Sequence, residues 1–414
     1  MIILLDGRLN LKGRFNENFA REFLELYTIG KGRAGQVPPS ESEGDYVYFT
    51  EKDVQTAARI FSGYDFDETF TNTDPDTDLP RCIIKADEQG NAIQHDNTLK
   101  TFSHRFNNKE IIPDSSLFIN GKASEESMHD EIDQLVSMIF DQEETARNIC
   151  RKIYRFYVYH NITDDIENNI ITEMVSTFLA NDYKIEPVIK ELLSSNHFYD
   201  NSSETPADDV VGGLIKSPLD LVAGTLLFFE HQLPDYISSA DKFYKQTEGI
   251  FESMSAQGME FMNPFDVAGY EAYYQFPIWN RSWISPNMLG YRYKFIFDTM
   301  SVAMMNEEMV QIDLLEFFSK NFSVTAPEPE KLIRELATYI LPLHEENTEL
   351  TTPRLNYFKS QFFKLGTGLP QGPLAFWQFS WANKNTIEAS KEDSRGMLQD
   401  LVNAMLQTPE YQLF

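Results

Sequence analysis

Residues 163–179 read TDDIENNIITEMVSTFL, and in them the bulky apolar side chains Ile166, Ile170, Met174 and Phe178 fall four positions apart. Residues at that spacing gather on one face of a helix, whereas a half-buried strand alternates apolar and polar with a period of two. The carboxylates and amides between them are left on the other face. The stretch predicts a helix with one buried face, and the same reading extends in both directions.

Toward the N-terminus, Asn16 is placed to cap a helix whose apolar positions are Phe19, Phe23, Leu24 and Leu26, with Gly30 placed to end it. Its polar face carries Glu17, Arg21, Glu22 and Glu25. After a loop over 32–44, Thr50 and Asp53 open a second helix with Val54, Ala57, Ala58 and Phe61. Asp141 and Glu144 stand at capping-box spacing ahead of Ile149, Ile153, Phe156 and Tyr157. Beyond 179, Ser217 and Pro218 start a helix with 221–229 as its apolar body, another covers 241–254, and Ser285 with Pro286 starts one that runs to Met304. Further helices are expected near 311–320, 330–341, 354–363 and 394–406. No spacing recurs with a constant period, so a solenoid is not indicated.

Two stretches interrupt this pattern. Over 62–120, Gly, Asp, Asn and Thr cluster, which predicts a small insert: a strand at Cys82 to Ile84, a hairpin turn at 88–91, a return strand near 92–94 and another near 99–102. Residues 257–286 mix glycines, prolines and closely spaced aromatics without a steady period and read as an aromatic-rich ordered loop. The expected fold is mainly α, one large multi-helix globular domain over 1–414 with a small β-hairpin and loop insert.

The composition supports a sizeable core, with 42% of 414 residues hydrophobic. The 64 acidic residues against 35 basic ones give a net charge of -29, which opposes nucleic acid as a partner. The apolar run Met1 to Leu5 is followed at once by Asp6 and Arg8 and does not read as a signal peptide. No segment reaches the roughly 18 apolar residues of a membrane-spanning helix. Cys82 and Cys150 form no metal signature; they can pair in an oxidising compartment, and Cys150 equally suits a buried free thiol.

Several motifs carry a resemblance. Asn16-Glu17-Asn18-Phe19-Ala20-Arg21-Glu22, then Leu24, Glu25, Leu26, Thr28 and Gly30, is similar to the signature of the bacterial family called domain of unknown function 1800. Its continuation is matched by Asp53, Val54, Ala58, Arg59, Gly63 and Tyr64, and by His95 and Asp96 ahead of Lys100-Thr101-Phe102. The helix with Ala146, Arg147, Arg151, Lys152, Tyr154, Arg155 and Phe156 fits, as do Lys216-Ser217-Pro218, the region of Gly258, Pro264, Gly269 and Trp283, and the ending Thr408-Pro409-Glu410-Tyr411-Gln412. Tyr64 and Tyr270 stand where tryptophan is commoner, and 272–281 looks inserted. The resemblance implies an exported protein, periplasmic or extracellular, that lacks here the family's usual N-terminal region, a region that can cover part of the surface. It implies no activity, cofactor or catalytic residue.

The candidate chemistry is therefore read from residue types alone. Glu22 and Glu25 can share a helix face and, as paired carboxylates, serve catalysis or bind a cation, or simply pair with arginines. Arg147, Arg151 and Arg155 recur every four residues, a basic stripe that either faces Glu17, Glu22 or Glu25 and knits two core helices or binds an anion. His95 and Asp96 suit an acid, a base or metal ligands, or a structural hydrogen bond. Asp74, Asp76 and Asp78 have the opening spacing of a calcium loop, but Leu79 and Lys85 stand where an EF-hand needs glycine and glutamate, leaving a looser calcium site or a solvated acidic loop. Trp279 and Trp283, amid Tyr270, Tyr273, Tyr274 and Phe276, suit a sugar-stacking platform, a protein interface or packing. No motif requires a cofactor. Two functions stay open: an envelope binding or assembly protein with a glycan or protein partner, and a metal-dependent hydrolase using the carboxylates and His95.

Overall fold

The computed structural model describes residues 5–33, 36–75, 77–199, 214–263, 283–301, 310–341 and 350–413. It is mainly α, as the apolar spacing predicts, and the described residues cluster in two compact units, one up to Tyr199 and one from Leu214.

In the first unit, α1 (Asn18–Glu22) runs directly into a π turn (Phe23–Tyr27). Asn16 takes the backbone N–H of Asn18 at 2.9 Å. Gly30 closes the segment with φ 72° and donates to the Leu24 carbonyl at 2.9 Å; a Cβ there would lie 2.8 Å from the Asn148 side chain, so only glycine fits. Helix α2 (Glu51–Ile60) has the expected Thr50 and Asp53 capping box.

The insert departs from expectation in its pairing. Strand β2 (Cys82–Ile84) pairs antiparallel with β1 (Tyr64–Phe66), Tyr64 opposite Ile84 and Phe66 opposite Cys82, and not with residues 92–94. Asp87 and Asn91 do form the tight turn over 88–91, yet Ala86 and Ala92 make a single bridge, because Ala92 turns its N–H to the Ala123 carbonyl. The strand near 99–102 is β3 (Lys100–Thr101), paired with β4 (Glu110–Ile111).

Helices α3 (Glu125–Phe140) and α4 (Glu143–Tyr157) follow. The capping box placed at Asp141 is a correction: Asp141 ends α3, and α4 starts after Gln142 without a side-chain cap. The stretch 163–179 is α5 (Asp164–Ile166), a π turn (Glu167–Ile171) and α6 (Thr172–Ala180) in succession. In a straight α-helix each four-residue step overshoots a turn by about 40°. The wider π turn absorbs that drift, so Ile166, Ile171, Met174, Val175 and Phe178 all reach the core. Helices α7 (Ile185–Leu193) and α8 (Asn196–Tyr199) complete this unit.

The second unit contains α9 (Pro218–Phe228), α10 (Ala240–Ala256), α11 (Pro286–Met300), α12 (Leu314–Asn321), α13 (Pro329–Ile340), α14 (Thr352–Phe362), α15 (Gly372–Asn383) and α16 (Glu388–Leu406). Ser217 caps α9 and Ser285 caps α11, each with proline in the first turn. Helix α16 lies against α11, α12, α14 and α15 and buries Met397, Leu398, Leu401, Val402, Met405 and Leu406. No helix among the described residues is long and apolar enough to cross a membrane.

Candidate functional site

His95 and Asp96 sit where the chain passes under the C-terminal end of α2. Gly63, at φ 91°, makes that approach possible, since a Cβ there would lie 2.9 Å from the backbone of Gln94 and His95. His95 Nδ1 donates to the Ser62 carbonyl at 2.9 Å, and its Nε2 faces Glu131 Oε1 at 3.2 Å. A carbonyl only accepts, so Nδ1 is the donor in that contact. The other Glu131 oxygen takes Lys100 Nζ, which also donates to the Asp96 carbonyl. The side chains of His95, Lys100 and Glu131 are fully buried. Burial pulls the Lys100 ammonium below its usual pKa and Glu131 opposes that pull.

Asp96 belongs to the same network. Its Oδ2 accepts from Arg59 Nε at 2.7 Å and its Oδ1 from Thr98. Burial favours its neutral form, but Arg59 and Thr98 prevail and hold the carboxyl below its ordinary range. Ser62 Oγ accepts its backbone N–H. Sequence reasoning missed Glu131, whose signal is a carboxylate on the apolar face of α3 that also carries Met128, Leu135 and Ile139.

The arginine stripe forms a separate network. Arg151 donates to Glu144 at 2.5 Å and binds Glu167 with Nη2 at 2.6 Å and Nε at 2.9 Å. Despite burial, these carboxylates raise its pKa. Arg147 pairs with Glu143 and Glu167. The partners named from sequence, Glu17, Glu22 and Glu25, are thus replaced for Arg147 and Arg151 by the glutamates of α4 itself and of the π turn at 167–171. Helix α4 still reaches the N-terminal segment, but through Asn148 Nδ2 on the Thr28 carbonyl at 2.6 Å and Lys152 Nζ on the Leu26 carbonyl. Burial, with Arg155 nearby, lowers Lys152 to about 8. Arg155 differs from its neighbours: its Nε is buried without a hydrogen-bond partner, and burial followed by Arg151 pulls its pKa down.

Glu25 pairs with Lys31 at 2.6 Å, while Arg21 joins Glu17 at 3.1 Å and Glu51 at 2.5 Å. Donation from Arg21 brings Glu51 down to about 2. Burial and the charge of Glu22 push the Tyr27 phenol up. Glu25, His95 with Asp96, and Arg151 therefore belong to three networks and do not share one site.

Asp74 Oδ1 accepts from the Thr77 N–H and hydroxyl, and Asp78 adopts a left-handed backbone; Asp76 lies outside the described residues. Trp283 is 6% exposed, whereas Trp279 and residues 264–282 lie outside the described residues. Cys82 is half-buried, Cys150 buried, and both are free thiols. Among the described residues no three His, Cys, Asp or Glu side chains gather as they would to hold a metal ion.

In the second unit two motifs meet. Lys216 donates its N–H to the Gln412 carbonyl at 2.8 Å and Nζ to the Tyr411 carbonyl at 2.9 Å, with Nζ 4.1 Å from the Tyr411 ring centre. Arg292 reaches Gln412 Oε1 at 2.7 Å and the Lys216 carbonyl at 2.9 Å. The motifs at 216–218 and 408–412 are one latch, held from beneath by α11.

The family model described as protein of unknown function, DUF1800, matches residues 1–413. This chain belongs to the DUF1800 family. No curated protein and no solved structure matches it. Of the DUF1800 motifs quoted from sequence, those at 16–30, 95–102 and 146–156 lie in the first unit and supply its charge networks, and those at 216–218 and 408–412 build the latch of the second.

Proposed function

We propose that this DUF1800 protein is an exported binding or assembly protein of the bacterial cell envelope and engages a protein partner. The observation that carries this reading is an apolar run on the second unit. Leu227, Leu233, Tyr236, Ile237 and Tyr244 are exposed, Ile237 by 76%, with the Tyr236, Phe243 and Tyr244 rings in successive contact. Large exposed apolar surface of this kind marks interaction sites, and aromatic side chains are enriched in them. A hydrolase built on Glu22, Glu25, His95 and Asp96 has less behind it, because His95 and Asp96 are enclosed and their bonding capacity is taken.

A photoreactive residue placed at 237, compared with one at the exposed Lys331 of α13, tests the proposal in cells. We expect a covalent adduct with one envelope protein from position 237 and none from 331. Equal adducts from both positions, none from 237, or adducts only between copies of the chain would contradict it. A purified glycan that protects position 237 would move the reading from a protein to a glycan partner.

A further inference from the structure

The first unit holds a cavity of about 530 Å³ that none of its charge networks uses. One wall is made by Phe19, Phe23 and Phe61, packed edge to face at 4.8 Å and 5.1 Å between ring centres. Tyr64, Phe66 and Cys82 of the β1–β2 ribbon face it, with Ile132 of α3, and Phe70 stands at the mouth, 54% exposed. These three ribbon residues share one side because Tyr64 and Phe66 are two apart and Cys82 lies opposite Phe66.

The cavity's chemistry narrows what it can take. Its two charged lining residues are occupied: Asp67 accepts from Thr69, Thr71 and Asn72, and Arg81 lies 3.8 Å from Glu125. The lining therefore carries one charge of each sign and no net charge to favour an ion. The remaining lining side chains offer ring and alkyl carbon, apart from the Cys82 thiol and Tyr64. Tyr64 is 3% exposed, and its hydroxyl, which has no hydrogen-bond partner, is shut off from the open space of the cavity. A volume of this size falls within the range of roughly 300–1,000 Å³ found for small-molecule sites, which combine apolar walls with few polar groups. Ring edges and faces in this arrangement suit another ring.

We propose that this cavity is a binding site for a neutral aromatic small molecule. The site is independent of the partner surface on the second unit, and so is its test. The probe is 1-naphthol, titrated by its own fluorescence into the full chain. Binding is also read as slower alkylation of Cys82 by N-ethylmaleimide at pH 8.5, with buried Cys150 as the unreactive internal reference. We expect saturable binding at one site, at least tenfold slower Cys82 alkylation at saturation, and at least tenfold weaker binding in Cys82→Phe, whose ring would occupy the cavity. Phe70→Ala, altered only at the exposed mouth, should bind several-fold more weakly and keeps the test decisive if Cys82→Phe does not fold. Absence of saturable binding, or equal binding by the wild type and both variants, would overturn the proposal. So would protection of Cys82 that rises with protein concentration without 1-naphthol, since the occupant would then be a second copy of the chain.

Discussion

In the first unit three enclosed cations meet carboxylates, Lys100 meeting Glu131, Arg59 meeting Asp96, and Arg151 meeting Glu144 and Glu167, while Lys152 meets the Leu26 carbonyl. In the second, Lys216 and Arg292 meet carbonyls, an amide oxygen and an aromatic ring. Asp220 offsets part of their charge, but it is engaged in the cap of α9. Burial therefore lowers Lys216 to about 8 and Arg292 to about 10. Those carboxylate pairs and the Lys216–Arg292 latch solve the same desolvation problem differently, the first by neutralising charge and the second by solvating it with dipoles. Removing a cation should leave a stranded anion only in the first.

The largest expected effect follows from Lys100→Met. It leaves Glu131 buried beside His95 without its ammonium partner, a loss of about 3–5 kcal/mol, read as faster amide exchange along α3. Arg292→Met should cost less, about 1–3 kcal/mol, because it deprives Gln412 and the Lys216 carbonyl of donors without isolating a charge. Trp377 and Trp381, stacked 5.2 Å apart in the second unit, report that loss by fluorescence during urea unfolding. If Arg292→Met proved the more damaging, the contrast would be reversed.

Titration separates the units by sign. Asp45 lies near 2 because Arg105 donates to it, and Glu51 near 2 because of Arg21, against ordinary values of 3.8 and 4.5. Their stabilisation is complete above those ordinary values and disappears as pH falls through 2, so acid should loosen the first unit. Lys216 runs the other way. The unfolded chain binds more protons between pH 8 and 10.5, so the second unit should gain stability as pH rises across that window. Lys152 and the lowered Lys100 add the same trend to the first unit, and Lys152→Met removes the Lys152 share from the comparison. Urea midpoints read by amide exchange at each pH check both limbs. The smallest effect is Ser217→Ala, about 1 kcal/mol from the lost cap of α9, measured by the same tryptophan signal.

Helical content was legible because each helix needs only a local pattern. Thr50 with Asp53, Ser217 with Pro218 and Ser285 with Pro286 mark helix starts by short-range hydrogen bonding and backbone restriction, and all three stand where the residues indicate. Pairing was harder. Cys82 to Ile84 is visible as a strand, yet its partner lies at Tyr64 to Phe66, across a loop whose length no local rule fixes. The π turns were hidden as well: the four-residue repeat points to Ile170, whereas the π turn at 167–171 buries Ile171 in its place.

The charged candidates show the same limit. Arg151, His95 and Asp96 could be picked out by residue type, but their partners Glu167, Glu131 and Arg59 come from other elements. Arg59 and Arg151 both sit in helical patterns, so nothing in their spacing distinguishes an interior ion pair from an exposed binding group. The aromatic cavity was invisible for a related reason. Phe19 and Phe61 read as ordinary core residues, and only their assembly with Phe66 and Ile132 leaves space among them.

The charged DUF1800 motif around His95 forms an interior ion-pair network in this chain. A double-mutant cycle on Lys100 and Glu131, using Lys100→Met, Glu131→Leu and the pair together, tests it most directly by urea unfolding. Each single change should be costly, and the double variant should recover at least ~2 kcal/mol relative to their sum, since charge and counter-charge leave together. Additive effects below ~0.5 kcal/mol, the scale expected of independent sites, would contradict it.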